Sequence, residues 1–351
     1  MFNRSGRTGN YAYTVSRVKA KKAKLLKEED YNKMLQMSIP EICRYMGETN
    51  YQKEIVDLAG RHEGIDLVEY ATYTNMAKVF NSILGSSQGE LKTMVSAYLE
   101  KWDIWNLKVI LRGRSFGLDP DMVREDLVPA GSLDMEDLEK LITLGVDDDL
   151  LSAFARMVGI PPQDLVAAYK NTENGLGEVE DFLDKYYYAR LLSSINPTTR
   201  PGRMFQDFVR MEIDNKNLET IMKLKAEGVY GDVVMKYIIP DGKQVDKRLA
   251  QQLANAETIE AMISDASQLD VADILKKLVE NEDVLIRDVV HEMKQFEITQ
   301  AKKFSHMYPL SVVPVIDYMI HKEIEVSNIR TIARGIESGL DKDLIKGLLV
   351  I

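Results

Sequence analysis

The feature that most constrains this chain is an internal repeat in which the numbers of equivalent residues differ by 111. The step aligns an acid and an asparagine three residues later in three copies: Asp103 and Asn106, Asp214 and Asn217, Glu325 and Asn328. It also aligns three glycines: Gly117, Gly228 and Gly339. A fixed period of this kind is typical of repeat architecture. We therefore predict one unit used three times: copy 1 (1–129, including an N-terminal extension), copy 2 (130–240) and copy 3 (241–351).

The spacing of apolar residues is helical along nearly the whole chain. Leu91, Met94, Val95 and Tyr98, for example, follow i, i+3, i+4, i+7 spacing. Residues that break helices fall at one phase of every copy, at 85–89, 196–202 and 308–314. The sequence thus predicts an all-α fold in which two long helices meet at a turn in each copy. The second of them, about 90–116 in copy 1, should end at the repeated glycine in a left-handed conformation.

Composition excludes several classes of protein. The 351 residues are 45% hydrophobic, enough to bury a substantial core, and Cys43 is the only cysteine, so no disulfide framework is expected. The net charge of −10 argues against binding to duplex nucleic acid. No segment approaches the roughly 18–20 uncharged apolar residues that cross a bilayer, so no membrane insertion is expected. The N-terminus lacks the apolar stretch of a signal peptide, which predicts a cytoplasmic protein.

Motifs for catalysis, cofactors and metals are missing from the sequence. Gly242-Lys243 is followed by Gln244 rather than by the Ser or Thr of a phosphate loop. His291-Glu292 has Gln295 where a zinc-binding motif needs its second histidine. We therefore predict no catalytic residue, no cofactor and no metal.

Two charged segments allow more than one interpretation. The run 147–149 is three aspartates, which could chelate a cation but better fit the N-terminus of a helix, where carboxylates are favoured. The segment 17–27 carries six cations, which could dock on an anionic membrane surface or on nucleic acid. Its apolar face is modest and acids follow at 28–30, which favours a solvated helix.

The repeated polar residues are expected to serve the fold. A buried amide must be hydrogen-bonded, so each asparagine is predicted to tie its helix to the adjoining turn. Cations near the ends of these helices either complement the helix dipole or line a shared surface that meets a partner. These candidate contact residues are Arg112, Arg114, Lys223, Lys225 and Arg334.

The chain resembles the family of C subunits of archaeal A-type and bacterial V-type rotary ATP synthases and ATPases, the counterpart of the eukaryotic V-type d subunit. The resemblance is carried by Tyr-Thr-Val-Ser-Arg-Val-Lys-Ala (13–20), Leu25-Leu26, Glu-Thr-Asn-Tyr (48–51) and the three copies of the acid-x-x-Asn signature. It implies a funnel of three similar helical domains that is not itself an enzyme.

The resemblance also implies a place in the cell. The protein would lie at the cytoplasmic face of the cell membrane as a peripheral part of the rotor, and would couple ATP synthesis to ion transport. Its partners would be the membrane proteolipid ring and the D and F subunits of the central stalk. The alternative is a soluble helical-repeat scaffold unrelated to the rotary ATPase.

Overall fold

The computed structural model describes residues 9–170, 176–279 and 286–351, and every regular element in these ranges is a helix. The predicted all-α fold class is confirmed. The chain forms two compact units. Unit 1 contains the residues up to Ser194 together with Tyr318–Gly347, and unit 2 contains Ile195–Asp317 together with Leu348–Ile351.

Unit 1 is built mainly from the first twelve helices in the described ranges. They are α1 (Tyr11–Lys22), α2 (Glu28–Met34), α3 (Ile39–Met46), α4 (Gln52–Leu58), α5 (Gly64–Ser86), α6 (Gly89–Leu99), α7 (Lys101–Ser115), α8 (Pro120–Glu125), α9 (Met135–Thr143), α10 (Asp147–Val158), α11 (Pro162–Lys170) and α12 (Gly177–Ser194). Helix α10 starts at Asp147, so the acidic run occupies its first turn, as predicted.

Of the remaining helices, all but α20 belong to unit 2 or begin there. The remaining helices are α13 (Arg200–Ala226), α14 (Asp232–Met235), α15 (Lys247–Asn255), α16 (Ile259–Asp265), α17 (Ala272–Val279), α18 (Ile286–Met307), α19 (Val313–Glu337) and α20 (Lys342–Gly347). The chain passes from unit 2 into unit 1 within α19, and α20 belongs to unit 1.

The breaks between successive long helices fall at the predicted turns: α5 precedes α6, α12 precedes α13, and α18 precedes α19. Copy 1 differs from copy 2 in one respect. The helix predicted for about 90–116 is divided into α6 and α7, whereas α13 runs unbroken for 27 residues. The division coincides with a tighter bond at Glu100, whose carbonyl accepts from the amide of Asp103 at 3.0 Å. An i→i+3 bond of this kind locally tightens the helix.

The three repeated glycines end their helices in the same way. Gly117, Gly228 and Gly339 have φ of +65°, +77° and +67°. The amide of the residue after each glycine donates to the carbonyl five residues earlier, at 2.8 Å in copies 1 and 2 and 2.9 Å in copy 3. This is the left-handed helix ending that glycine adopts without a steric cost, as the sequence predicts.

Each unit has its own apolar core. In unit 1 the buried side chains include Phe80 and Tyr98. The core of unit 2 joins Leu218 and Met222 of copy 2 to Phe296 of copy 3, so it combines the second half of one copy with the first half of the next. The unit boundaries after Ser194 and Asp317 fall within copies 2 and 3. The copies thus describe the sequence repeat and the units describe the packing, while residues 1–8 of the predicted extension lie outside the described residues.

Candidate interaction surface

The acids of the first two copies bind the segment that opens the next copy. Asp103 Oδ2 accepts from the amide and the hydroxyl of Ser132, both at 2.8 Å, and Oδ1 accepts from the amide of Leu133 at 3.0 Å. Asp214 accepts in the same way from the amides of Gln244 and Val245, at 2.7 and 3.0 Å. We call these contacts joint 1 and joint 2.

Glycine is required at both joints because the backbone comes very close to the carboxylate. A Cβ atom added at Gly131 would collide with the carboxylate of Asp103, and one at Gly242 would collide with that of Asp214. These two glycines are themselves related by the step of the repeat. The repeat therefore preserves the acid together with the glycine that admits it.

The asparagines of copies 1 and 2 tie their helices to the adjoining turns. Asn106 donates from Nδ2 to the carbonyl of Val128 and accepts through Oδ1 from the amide of the same residue, both at 2.8 Å. Asn217 makes the same pair of bonds to Ile239, again at 2.8 Å. Asn328 is also buried, and its side chain hydrogen-bonds to Tyr31. Asn106 and Asn217 thus hold the fold of their own segments, whereas the bond of Asn328 reaches the start of the chain.

The acid of copy 3 reaches back to the start of the chain. Glu325 accepts from the amide of Leu26 at 2.6 Å, from the hydroxyl of Tyr51 at 2.7 Å and from Nζ of Lys322 at 2.7 Å. Lys322 also donates to the Tyr51 hydroxyl at 2.9 Å. Both charged residues are only 2% exposed. This contact, joint 3, lies within unit 1, and no feature of the sequence predicted it.

Burial dominates the electrostatics of the joints. The pKa values of Asp103 and Asp214 are raised because burial disfavours the carboxylate, although the backbone amides that donate to each oppose the shift. The pKa of Lys322 is lowered by burial, against the opposing effect of Glu325. The hydrogen bonds therefore compensate only part of the cost of removing these charges from water.

Two of the predicted contact cations form bidentate ion pairs within unit 1. Arg112 donates from Nε and Nη2 to Glu180, both at 2.6 Å, and Arg334 contacts both oxygens of Glu69. Glu69 and Glu180 are also related by the step of the repeat. Lys223 of copy 2 instead pairs with Glu219 on its own helix, at 2.5 Å. About half of each arginine side chain remains exposed, so these ion pairs leave it accessible.

The other two candidate cations support neighbouring turns. Arg114 donates to the carbonyls of Ile142 and Leu144 and pairs with Asp147 at 2.8 Å. Lys225 donates in the equivalent way to two carbonyls at the end of α15, and it is only 4% exposed. Copy 3 has Ile336 at this position. The equivalent cations of copies 1 and 2 thus bind the last carbonyls of α9 and α15.

Sequence reasoning missed a set of exposed apolar residues that follows each left-handed glycine. Copy 1 exposes Leu118 and Met122, copy 2 exposes Val233, and copy 3 exposes Leu340 and Leu344, with exposed fractions of 41–56%. The step of the repeat aligns Met122 with Val233 and Leu344, so an apolar residue repeated at this position could have indicated the exposed set. We call these residues the apolar turns. Leu118 also lines an open cavity of about 800 Å³ within unit 1.

Within the part of the chain that the structure describes, no group of three or more histidines, cysteines or acids is placed to hold a metal ion. None of the helices in the same part is both long enough and apolar enough to span a membrane. The geometry thus defines a helical-repeat protein whose repeated polar residues bind its own backbone.

The chain belongs to the ATP synthase (C/AC39) subunit family, whose model matches residues 14–348. It is 35% identical to the C subunit of the A-type ATP synthase of Methanococcoides burtonii, over 99% of this chain and 96% of that protein. It is 34% identical to the same subunit of Archaeoglobus fulgidus, over 99% and 98%, and 32% identical to that of Halobacterium salinarum, over 97% and 98%. The resemblance noted in the sequence is therefore confirmed.

Proposed function

We propose that this protein is the part of the rotor that couples the central stalk to the membrane proteolipid ring of an A/V-type rotary ATP synthase. The observation that carries the proposal is the family match over residues 14–348, because it spans all three copies and both compact units. In this role the protein is a non-catalytic funnel, peripheral at the cytoplasmic face of the membrane. Its partners are the proteolipid ring and the D and F subunits of the stalk, and its motion links ATP synthesis to ion transport.

The joints support a mechanical role. A protein that transmits torque must resist deformation, and buried polar groups whose hydrogen bonds are satisfied make a core rigid and specific. The acids at the three joints and the asparagines of copies 1 and 2 are buried and bind backbone or side-chain groups of the chain itself. The repeated residues thus stiffen the body that the proposed function needs.

The exposed cations are the candidate partner contacts, together with the apolar turns. Arg112, Lys223 and Arg334 keep 51%, 39% and 55% of their side chains exposed. Charged contacts fix the register of an interface and can be screened by salt, which suits an assembly that must form without slipping. Arg114 and Lys225, whose charged groups already bind backbone carbonyls, would support the neighbouring surface from within.

Copurification tests the proposed function most directly. A tagged chain isolated from gently solubilised membranes is expected to carry proteolipid and stalk proteins with it. A chain that stays in the soluble fraction without these partners would support the alternative of an unrelated helical scaffold. The purified chain is also expected not to hydrolyse ATP. Turnover that follows this polypeptide through successive columns would contradict a non-catalytic role.

A pair of matched variants tests the cations. In the first, Arg112, Lys223 and Arg334 are replaced by Gln; in the second, their ion-pair partners Glu69, Glu180 and Glu219 are replaced by Gln. Both variants break these three internal ion pairs, and the second also separates Glu69 from the buried Arg330, but only the first removes the exposed cations. We expect the first to bind the stalk and the ring more weakly and with less dependence on salt, and the second to bind like wild type. Equal losses in the two variants would show that the cations serve the internal pairs alone.

A further inference from the structure

Three cations on one side of helix α1 and in the turn after it form no ion pair with any residue that the structure describes. Tyr13, Arg17, Lys21 and Lys24 follow one another at intervals of four, four and three residues, so they lie along one side of α1 and the turn after it. The adjoining side, with Thr14, Val15 and Val18, is buried. We call Arg17, Lys21 and Lys24 the basic stripe.

The three cations are close enough to disturb one another. The pKa of Lys21 is lowered first by partial burial and then by the positive charges of Arg17 and Lys24. In the described part of the chain, none of the three forms an ion pair with a carboxylate. By contrast, Arg112, Lys223 and Arg334 are all paired. In a chain of net charge −10, the basic stripe is therefore a cluster of cations without ion-pair partners, and three acids follow it at 28–30.

The neighbouring carboxylates are engaged elsewhere. Helix α1 packs on α5, which has no acid between Tyr70 and Ser86. Glu90 accepts from the hydroxyl of Tyr11 at 3.2 Å, and Glu54 binds Asn75 and Lys78. Glu325 is held at joint 3. None of these three carboxylates forms an ion pair with the basic stripe, whose charges can therefore attract an external anion.

We propose that the basic stripe binds the phosphate groups of an anionic lipid surface. Arg17 and Lys24 are seven residues apart, a rise of about 10 Å along a helix, which spans more than a single phosphate group. Arg17 and Lys21 are half-buried and Lys24 is exposed, and the three form a row rather than a pocket. A row suits a surface that presents many phosphates. Because the apolar side of α1 is buried, contact is with headgroups and not by insertion into the hydrocarbon.

The aromatic residue at one end of the row fits the same ligand. Tyr13 is 57% exposed, and the guanidinium carbon of Arg17 lies 5.8 Å from the centroid of its ring. Tyrosine is enriched where proteins meet the membrane–water interface. Helix α1 carries four cations in all, with Lys19 and Lys22 beside the stripe, and clusters of four to eight cations on a helix are typical of binding to anionic lipids. The proposal rests on these contacts and does not depend on which partners the chain meets in a complex.

Vesicle cosedimentation of the full chain tests this proposal. Vesicles of phosphatidylcholine alone are compared with vesicles that also contain phosphatidylglycerol, at low and high salt. The variant R17Q/K21Q/K24Q is matched by K140Q/K170Q/K276Q, which removes the same charge from three other exposed lysines. Circular dichroism checks that both variants keep the helical fold.

The wild type and the matched control are expected to bind the anionic vesicles, and the binding should weaken as salt increases. The stripe variant should lose affinity about fivefold for each cation removed, corresponding to about 1 kcal/mol apiece. The proposal is overturned if the wild type does not prefer anionic vesicles or if the two variants lose affinity equally. It is also overturned if inorganic phosphate displaces the chain at the same phosphate concentration, or if polyglutamate competes as well as the vesicles do, since the ligand would then be a free phosphate or an acidic protein.

Discussion

Joint 1 and joint 3 each anchor the repeated acid of one copy to a distant segment of the chain, but the groups that bind the acid differ. At joint 1, Asp103 binds backbone amides that lie 29 and 30 residues further along the chain, beside a glycine that makes room for the carboxylate. At joint 3, Glu325 binds groups 299 and 274 residues away and is neutralised by a buried lysine. A local joint is thus made with a turn and a glycine, whereas the long-range joint adds an ion pair and a tyrosine.

The difference in sequence separation gives a reason for the difference in chemistry. Closing a flexible loop costs about 0.6 kcal/mol more for each doubling of its length, so a tenfold longer loop costs about 2 kcal/mol more. The carboxylates of joints 1 and 3 each accept three hydrogen bonds, but only that of joint 3 has a tyrosine hydroxyl and a buried counter-ion among its partners. A sequence repeat can thus preserve the position of an acid while the partners of that acid change.

The largest loss of stability should come from removing the carboxylate charge at joint 3. Glu325→Gln leaves Lys322 buried without its counter-ion, and breaking a buried ion pair from one side costs about 3–5 kcal/mol. We therefore expect a large fall in the urea midpoint and in Tm. Met211 is the residue of copy 2 that the repeat aligns with Lys322, so the double variant K322M/E325Q replaces the lysine by the residue that copy 2 uses.

The double variant is expected to be more stable than Glu325→Gln alone, because a neutral side chain replaces the unpaired charge. If Glu325→Gln unfolds like wild type, joint 3 is not the ionic contact described here. If the double variant is no better than the single one, the loss comes from the hydrogen bonds to Leu26 and Tyr51 rather than from the charge of Lys322.

A smaller effect is expected at joints 1 and 2 when their glycines gain a methyl group. Gly131→Ala and Gly242→Ala each place a Cβ against an aspartate, and overpacking of this kind costs about 1–3 kcal/mol. Gly85→Ala is the control, since a Cβ there meets nothing within 4 Å and lies in a helix, where alanine is favoured over glycine. Thermal unfolding should rank the control at or above wild type. Equal loss in all three variants would contradict the close approach at the joints.

The sequence predicted the local parts of this fold better than the long-range parts. The hydrogen bonds at the glycine helix ends and those of the asparagines to Val128 and Ile239 join residues at most 22 apart. Both partners therefore lie in the same copy, and the repeat made these contacts predictable. The partners of Glu325 lie in the first half of copy 1, where the repeat is loosest, and no local pattern indicates Tyr51. The ion pairs of Arg112 and Arg334 were within reach, because Glu69 and Glu180 obey the same step.

The pH dependence of joint 1 provides a finer test. The pKa of Asp103 is raised by burial, so the folded chain holds this proton more tightly than the unfolded chain does. The resulting stabilisation is fully present below the ordinary aspartate pKa, and it is lost as pH rises through the raised value. Comparing the urea midpoints of wild type and Asp103→Asn at several pH values isolates this component. The urea midpoint of wild type should rise relative to that of the variant as pH falls. A difference in midpoint that does not change with pH would contradict the raised pKa.

The smallest effect is expected where copies 1 and 3 are most alike, at the exposed ion pairs Arg112–Glu180 and Arg334–Glu69. The two pairs have the same bidentate form, and their arginines are 51% and 55% exposed. Solvent screens such pairs, so Arg112→Gln and Arg334→Gln should each cost about 0.2–1 kcal/mol, with smaller losses at high salt. Double-mutant cycles with Glu180→Gln and Glu69→Gln measure the two coupling energies directly. Similar couplings would show that copies 1 and 3 differ in their buried joints and not at this surface. A much larger coupling energy for Arg334–Glu69 would show that copy 3 also differs from copy 1 at this surface. Glu69 could give such a difference, because it also pairs with the buried Arg330.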